Sequence, residues 1–346
     1  MPLERRTKQA NLPFPRDGML GIARRQLDQF VSLESKVLKG DNPEAIHDIR
    51  VASRRLQQLL DLLYPAPPPP KVRKLRRTIR RSRRVLSEIR NCDVLLDRVE
   101  RVLARKQTAR REVWEAFQDY LREQRERSFL KASRRLSRLH LPALYLRLKE
   151  HLRSPSKLPS HPDLPASETA AAVGDDNELF RSRVDKALQE TWSSLETCIG
   201  EAQEKRSAAA LHAVRIAAKK VRYLMEAIHE LDVSGSDQAL TCLRHLQRHL
   251  GDWHDLEVLE QMMLEMVARP EFLQERLQLA MEVERLVLRN RRNKKSYEEK
   301  FYQMTRNSEE WQQLTDWVQN FLSTSSAHSR RGGKEDHSPG FPPART

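Results

Sequence analysis

A histidine followed by three cations occurs twice in this chain. The first copy runs from His47 to Arg55 and the second from His212 to Lys220, with basic residues three, seven and eight positions after each histidine: Arg50, Arg54 and Arg55, then Arg215, Lys219 and Lys220. Arginine binds oxyanions through paired, charged N–H groups, and lysine supplies a mobile point charge. The two copies therefore predict a shared site for a negatively charged ligand.

A second pair of segments extends the repeat. Leu86 to Leu95 corresponds to Leu250 to Leu259 at an offset of 164, close to the 165 that separates the two histidines. Two arginines of each preceding segment match at that offset, Arg80 and Arg84 with Arg244 and Arg248. A constant offset indicates tandem duplication of a unit of roughly 150 residues. We expect two pseudo-symmetric halves, residues 18–152 and 178–322, joined by a linker over residues 153–177.

The composition is typical of a helical protein that handles anions. Only 10 glycines and 32% charged residues favour helices over sheets. The 63 basic and 48 acidic residues give a net charge of +15, which attracts polyanions. Cys92, Cys198 and Cys242 lie far apart, so neither a disulfide framework nor a zinc site is indicated. We expect an all-α protein without a cofactor.

The two ends of the chain lack the pattern of ordered helices. Residues 1–17 are polar and contain Pro13 and Pro15, which predicts a flexible extension. Residues 323–346 are a mixture of Ser, Gly, Pro and His that predicts a disordered tail. No apolar run approaches the roughly 20 residues that cross a bilayer. We therefore expect a cytoplasmic protein that does not contact a membrane.

Proline and glycine divide the remaining sequence into predicted helices. Gly40 ends the first helix, Asp41 or Asn42 caps the second, and Pro43 lies in its first turn. The prolines of residues 65–70 form a stiff connector after it. The predicted helices cover about residues 20–38, 43–64, 72–105 with a break near Asn91, 112–139, 143–152, 178–204, 208–231, 237–267, 270–290 and 298–322.

Each histidine-bearing helix is expected to have one cationic face. At 100° per residue, the first copy places four polar residues within an arc of roughly 80°, and the second copy does the same: His47, Arg50, Arg54 and Gln57, then His212, Arg215, Lys219 and Arg222. Aliphatic residues lie on the opposite side of each helix. If the two halves meet about a pseudo-two-fold axis, the cationic faces confront one another across a groove.

The segment after the prolines is strongly basic. Residues 71–90 hold ten Lys or Arg and one acid, Glu88. An apolar seam runs through the segment, which favours an ordered amphipathic helix over a solvated charge run. Its flank continues the cationic surface through Arg73, Arg76, Arg80 and Arg84.

These residues together resemble the CHAD family, the conserved histidine α-helical domain. The resemblance covers about residues 18–322 and rests on the doubled histidine motif, on Arg222-Tyr223 and on Leu250-Gly251 to Asp255. It implies an all-α fold with a central basic groove that binds inorganic polyphosphate. The expected polyphosphate-binding residues are His47, Arg50, Arg54, Arg55, Arg73, Arg76, Arg80, Arg84, His212, Arg215, Lys219, Lys220, Arg222, Tyr223, Arg244 and Arg248.

Two positions depart from the family pattern. Gln57 stands where the second copy has Arg222, so we expect a weaker cationic surface there in the first half. Ser87 replaces the glycine that the second copy keeps at Gly251.

The histidines lie among cations that oppose their protonation, whereas a bound anion favours it. We therefore expect binding to tighten on mild acidification.

Three other functions fit parts of the sequence. Glu44 with His47 and Glu226 with His229 have the Glu-x-x-His spacing of di-iron bundles, but the pairs are not at equivalent positions and arginines adjoin the first. The His-Asp pairs at 47–48 and 254–255 resemble those of metal-dependent phosphohydrolases, but further ligands are absent. Without a P-loop or nucleophile elbow, we expect a binding protein rather than an enzyme.

Nucleic acid is the main alternative ligand. A basic helical surface can bind the DNA or RNA backbone through salt-sensitive contacts, but aromatic residues make up only 6% and no nucleic-acid motif stands out. Polyphosphate is a flexible anion without bases and needs no stacking platform. Polyphosphate granules and enzymes that handle polyphosphate are further candidate partners, and association with granules is the matching location.

Overall fold

The computed structural model describes residues 16–40, 42–106, 109–152 and 166–331, and every regular element within these ranges is an α-helix. The all-α prediction is confirmed. The helices in chain order are α1 (Arg16–Ser32), α2 (Glu34–Lys39), α3 (Pro43–Leu63), α4 (Pro70–Val85), α5 (Ser87–Leu103), α6 (Arg111–Ser137), α7 (Leu141–His151), α8 (Ala166–Lys205), α9 (Ala208–His229), α10 (Ser236–Val267), α11 (Pro270–Glu275), α12 (Leu277–Asn307) and α13 (Glu309–Arg331).

The two histidine-bearing helices, α3 and α9, begin in the same way. The Asn42 side chain accepts a hydrogen bond from the Ala45 N–H at 3.1 Å, and Ser207 accepts one from the Ala210 N–H at 3.3 Å. A cap of this kind satisfies an N–H that has no partner within the helix. Each cap lies five residues before the histidine, so the two histidines occupy the same position in their helices.

Aliphatic side chains hold these two helices in one large core. Leu56 and Leu60 of α3 and Val221 and Leu224 of α9 are fully buried. Each such side chain contributes roughly 1.5–3 kcal/mol by leaving water. α3 packs on α1, α9 packs on α8, and α3 and α9 also contact each other. A second apolar cluster joins α5, α6, α10 and α12, and α5 packs on α10. The repeated segments are therefore neighbours in space.

The basic segment after the prolines is divided into two helices, whereas the corresponding segment of the second copy lies within one helix, α10. The break lies at Leu86, between α4 and α5, rather than near Asn91 as predicted. Arg50 Nη1 donates to the Arg83 carbonyl at 2.7 Å and to Ser87 Oγ at 2.8 Å, so this guanidinium satisfies the end of α4. In the second half, α10 continues through Gly251.

Several helix boundaries differ from the sequence prediction. α8 begins at Ala166 and so includes part of the predicted linker, and α13 extends to Arg331, into the predicted disordered tail. α12 continues through the predicted gap at residues 291–297, because Lys294 forms ion pairs with Glu257 and Glu260 of α10. Predictions for residues 1–15, 153–165 and 332–346 lie outside the described residues. The proposed duplication and division into halves stay predictions.

In residues 16–40, 42–106, 109–152 and 166–331, no helix combines the length and the apolar character that a membrane crossing requires.

Candidate anion-binding site

α3 and α9 are joined by a buried carboxylate. Arg55 Nε of α3 donates to Glu226 Oε2 of α9 at 2.9 Å, and Arg222 Nη1 lies 3.1 Å from Glu226 Oε1. The Glu226 side chain is only 8% exposed. Beside these contacts, Arg54 Nη1 lies 3.5 Å from the Tyr223 hydroxyl. This inter-helix bridge, Arg55, Glu226 and Arg222, fixes the two histidine-bearing helices against each other.

Six cations come together next to the bridge. The charges of Arg50 and Arg54 from α3 and of Arg215 and Arg222 from α9 all lower the pKa of Lys219. The charge of Arg54 likewise lowers the pKa of Arg83, which reaches the same place from α4. We call these residues the cationic cluster: Arg50, Arg54, Arg83, Arg215, Lys219 and Arg222.

The arginines of the cluster are partly removed from water. Burial, and then the charges of neighbouring arginines, lower the pKa of Arg50 to about 9 and that of Arg83 to about 10. Burial also lowers the pKa of Arg215, while the carboxylate of Asp255 opposes that shift. All three arginines remain charged at neutral pH. Asp255 and Glu226 are the carboxylates that border the cluster, so positive charge prevails there.

Lys219 is the most perturbed cation of the site. Burial, and then the four surrounding arginines, lower its pKa to about 6 from an ordinary 10.5. The amine is therefore largely neutral at pH 7 in the unliganded protein. An anion placed among these arginines opposes their charges, which are the second cause of the shift after burial, and so favours the charged amine. Ligand binding and protonation of Lys219 are thus coupled.

Each motif histidine lies at the edge of the cluster with a partner from the second repeated segment. Burial, followed by the charge of Arg90, lowers the pKa of His47. The His212 ring lies 5.4 Å from the ring of His254, and burial followed by the Arg215 charge lowers the pKa of His254 to about 3. Burial, then Arg215 and Lys219, also lower the pKa of His212. Arg90 and His254 occupy corresponding positions of the repeat.

A cavity opens beside the histidine pair of the second half. Its volume is about 470 Å³, and its lining includes Ala208, His212, Trp253 and His254. The open space gives solvent access to the imidazole of His212, near the start of α9, and to that of His254 on α10. Within the part of the chain that the structure describes, no three His, Cys, Asp or Glu side chains gather as a metal site requires.

Three residues of the predicted set lie outside the cluster, and two of them contact protein groups. Arg55 belongs to the inter-helix bridge. Arg76 donates to the carbonyls of Leu60 and Tyr64 and so satisfies the end of α3. Partial burial raises the pKa of Asp61, against the charges of Arg76 and Lys220. These contacts give Arg55 and Arg76 a role in holding the helices, whereas Lys220 is exposed on α9.

The remaining arginines of the predicted set are exposed and lie outside the cluster. Arg73, Arg80 and Arg84 are on the outer face of α4, and Arg244 and Arg248 are on α10. The charges of Arg80 and Arg84 still lower the pKa of Arg83, which places both near the cluster.

Sequence reasoning missed Arg83, Arg90 and His254. The repeat itself carried a signal for Arg90 and His254, since they occupy matched positions beside the two motif histidines. The position of Arg83 depends on a tertiary contact between α4 and α3, in which its Nη1 donates to Gln57 Oε1 at 2.9 Å. Gln57 thus positions a cation from α4 at the point where the first copy of the motif lacks one.

Comparisons with known proteins agree with this architecture. The family model described as the CHAD domain matches residues 21–264. The crystal structure of the CHAD domain from the plant Ricinus communis is similar, with a TM-score of 0.56 and 23% identity over 89% of this chain and 91% of that chain. No curated protein gives a significant match. The family match covers more than half of the sequence, and the chain belongs to the CHAD family.

Proposed function

We propose that the protein binds inorganic polyphosphate in the cationic cluster between α3 and α9. The observation that carries the proposal is the convergence of cations from both histidine motifs around Lys219, whose pKa is lowered to about 6 by burial and then by their charges. Buried like charges destabilise the unliganded protein, and a multivalent anion offsets that repulsion. The resemblance to the CHAD family implies the same ligand.

The surroundings of the cluster favour a ligand without bases. Tyr223, whose hydroxyl contacts Arg54 of the cluster, is only 6% exposed and has Arg222 over its ring, so it offers no free ring face for stacking. Arginine side chains and one lysine are suited to phosphate oxygens. Without a stacking surface, nucleic acid would be held here through its backbone alone, by salt-sensitive contacts.

We propose binding without catalysis. The cluster combines guanidinium groups with an amine and imidazoles, and a role in phosphate transfer would require an activated nucleophile or a metal. Incubation with long-chain polyphosphate, followed by analysis of chain length and released phosphate, tests this part. Chain shortening would make the protein an enzyme. Polyphosphate granules, or enzymes that handle polyphosphate, remain the proposed partners in the cell.

Charge reversal at the centre of the cluster tests the binding proposal. Arg54→Glu with Lys219→Glu should weaken polyphosphate binding at least about a hundredfold, since two charge-assisted contacts contribute about 3 kcal/mol or more. The control is Arg289→Glu with Lys295→Glu, two exposed residues of α12 that give the same change in net charge. Calorimetric titration measures the affinities, and circular dichroism checks the helicity.

The same titrations are repeated with excess duplex DNA as a competitor. The proposal predicts that polyphosphate stays bound in excess duplex and that only the cluster variant loses affinity. Equal losses of polyphosphate affinity in the cluster variant and the α12 control variant would show that the interaction depends only on net charge. Preferential binding of duplex by the wild type would favour nucleic acid as the ligand.

A further inference from the structure

Four arginines form a row on the outer face of α4. Arg73, Arg77, Arg80 and Arg84 fall within an arc of about 60° on the helix and span about 17 Å along its axis. All four are exposed. We call this row the α4 stripe. It is distinct from the cationic cluster, to which α4 contributes Arg83.

The buried side of α4 determines where the stripe points. Val72, Leu75 and Ile79 are buried, between 0% and 5% exposed, and they hold α4 against its neighbours. The arginines of the stripe therefore face solvent. The whole helix, Pro70–Val85, contains no Asp or Glu.

Like charges accumulate in the stripe without compensation. Among the described residues, none of the four arginines forms an ion pair with an acid. Cations three and four residues apart on one helix face repel each other by roughly 0.2–0.5 kcal/mol per pair. A row of this kind is more stable when a polyanion lies along it.

The stripe is continuous with the cationic cluster. Arg83 lies at the junction: the charge of Arg54 from the cluster and the charges of Arg80 and Arg84 from the stripe all lower its pKa. An anionic chain that fills the cluster therefore meets a further row of cations where it leaves past Arg83.

The second half lacks an equivalent row. At the offset of 164, the α10 counterparts of Arg73 and Arg77 are Asp237 and Thr241, followed by Arg244 and Arg248. Asp237 Oδ1 lies 3.5 Å from His229 Nε2 and adds a negative charge at that end. The asymmetry favours a path over α4 rather than over α10 for a chain that leaves the cluster.

We propose that the α4 stripe is a second subsite, which binds the part of a long polyphosphate chain that extends beyond the cationic cluster. This inference rests on the proposed function and adds a dependence on chain length. Tripolyphosphate is short enough to be held by the cluster alone, whereas long-chain polyphosphate engages the cluster and the stripe together. The gain arises because the second contact becomes intramolecular once the first is made.

The test replaces the stripe with neutral residues of similar helix propensity. The stripe variant combines Arg73→Gln, Arg77→Gln, Arg80→Gln and Arg84→Gln. The control variant makes the same charge change on exposed positions of α12: Arg289→Gln, Arg292→Gln, Lys295→Gln and Lys300→Gln. Titrations with tripolyphosphate and with long-chain polyphosphate are run at several salt concentrations.

The expected results separate the two ligands. The stripe variant should bind tripolyphosphate within about threefold of the wild type and lose about tenfold or more for long-chain polyphosphate. For the long chain, the slope of the logarithm of the binding constant against the logarithm of salt concentration should be shallower by roughly 0.7 for each cation removed. The control variant should keep both affinities near those of the wild type. Arg77→Gln with Arg84→Gln, a smaller change, should give about half the loss on a logarithmic scale.

Other outcomes overturn the inference in distinguishable ways. Unchanged binding of long-chain polyphosphate by the stripe variant, or an equal loss in the control variant, removes the second subsite but leaves the proposed function intact. Loss of duplex DNA binding without loss of polyphosphate binding assigns the stripe to another polyanion. If the wild type binds neither phosphate probe, the proposed function itself is wrong.

Discussion

The two histidine-bearing helices, α3 and α9, carry different kinds of charge at corresponding positions of the motif. At the seventh position after the histidine, the first copy has Arg54 and the second has Lys219. Beside the histidines, the first half has Arg90 and the second has His254. Arginine stays charged in proteins, whereas lysine and histidine can lose their protons near neutrality when buried. At these two positions, the first copy therefore supplies permanent charge, and the second supplies charge that depends on pH and ligand.

A second difference concerns where each half keeps one of its cations. In the first half, Gln57 lies on the histidine-bearing helix and accepts a hydrogen bond from Arg83 of α4. In the second half, the cation is Arg222, on the histidine-bearing helix itself, and Gln247 occupies the position that corresponds to Arg83. Glutamine and arginine are thus exchanged between the two helices. The charge of the site is maintained although neither position matches its counterpart.

The largest predicted effect is a loss of affinity as pH rises. The pKa of Lys219 is about 6 without ligand, and a bound anion raises it. Below pH 6 the amine is already charged, and above it each pH unit costs up to about tenfold in affinity because binding must take up a proton. We expect up to about a hundredfold weaker binding at pH 8 than at pH 6, measured by calorimetric titration in buffers of different ionisation enthalpy.

Lys219→Arg provides the control for this pH dependence. A guanidinium at position 219 stays charged, so the variant should bind with an affinity that changes little between these pH values. If the variant keeps the full pH dependence of the wild type, the histidines rather than Lys219 take up the proton.

The next largest effect is expected at the inter-helix bridge. Glu226→Gln leaves Arg55 and Arg222 without their shared carboxylate and should lower the free energy of unfolding by about 2 kcal/mol, measured by denaturant titration. The matched change is Asp61→Asn, at the corresponding position of the first half, where the side chain is 47% exposed against 8% for Glu226. We expect the Asp61 variant to lose less than half as much. Equal losses would show that burial of the carboxylate is not what distinguishes the two copies.

Removal of the titratable lysine should stabilise the unliganded protein. The pKa of Lys219 in the folded protein, about 6, lies below the ordinary 10.5. The resulting loss of stability is therefore complete below pH 6, declines as pH rises above 6 and is gone above pH 10.5. Lys219→Met should therefore raise the unfolding free energy by about 1 kcal/mol near pH 7, with a smaller gain at pH 10. Thermal unfolding at the two pH values measures it. A destabilised variant would mean that the amine is favourably placed without ligand.

The smallest effect is expected at Arg244 and Arg248. Both are exposed on α10, and their row is interrupted at the positions of Asp237 and Thr241. Arg244→Gln with Arg248→Gln should change the affinity for long-chain polyphosphate less than about threefold, because these two exposed charges lie outside the proposed path of the chain over α4. A loss as large as that of the stripe variant would restore the symmetry between the halves that the sequence implies.

The sequence predicts the helices and the pairing of the motifs better than it predicts individual contacts. Capping residues such as Asn42 and the apolar faces of the helices are local patterns, so α3 and α9 were placed within two residues. The cluster position of Arg83 depends on how α4 crosses α3, which no local pattern encodes. The same applies to Lys294, whose ion pairs with α10 carry α12 through a predicted gap. Repeated basic residues also conceal different roles: Arg54 faces the cluster, whereas its neighbour Arg55 holds Glu226.

The most direct test of the central claim is a crystal structure of the protein grown with tripolyphosphate. The account predicts phosphate oxygens in hydrogen-bonding contact with Arg54 of α3 and with Arg215 and Lys219 of α9. Phosphate bound only elsewhere on the surface, with the space between these three side chains unoccupied, would contradict it.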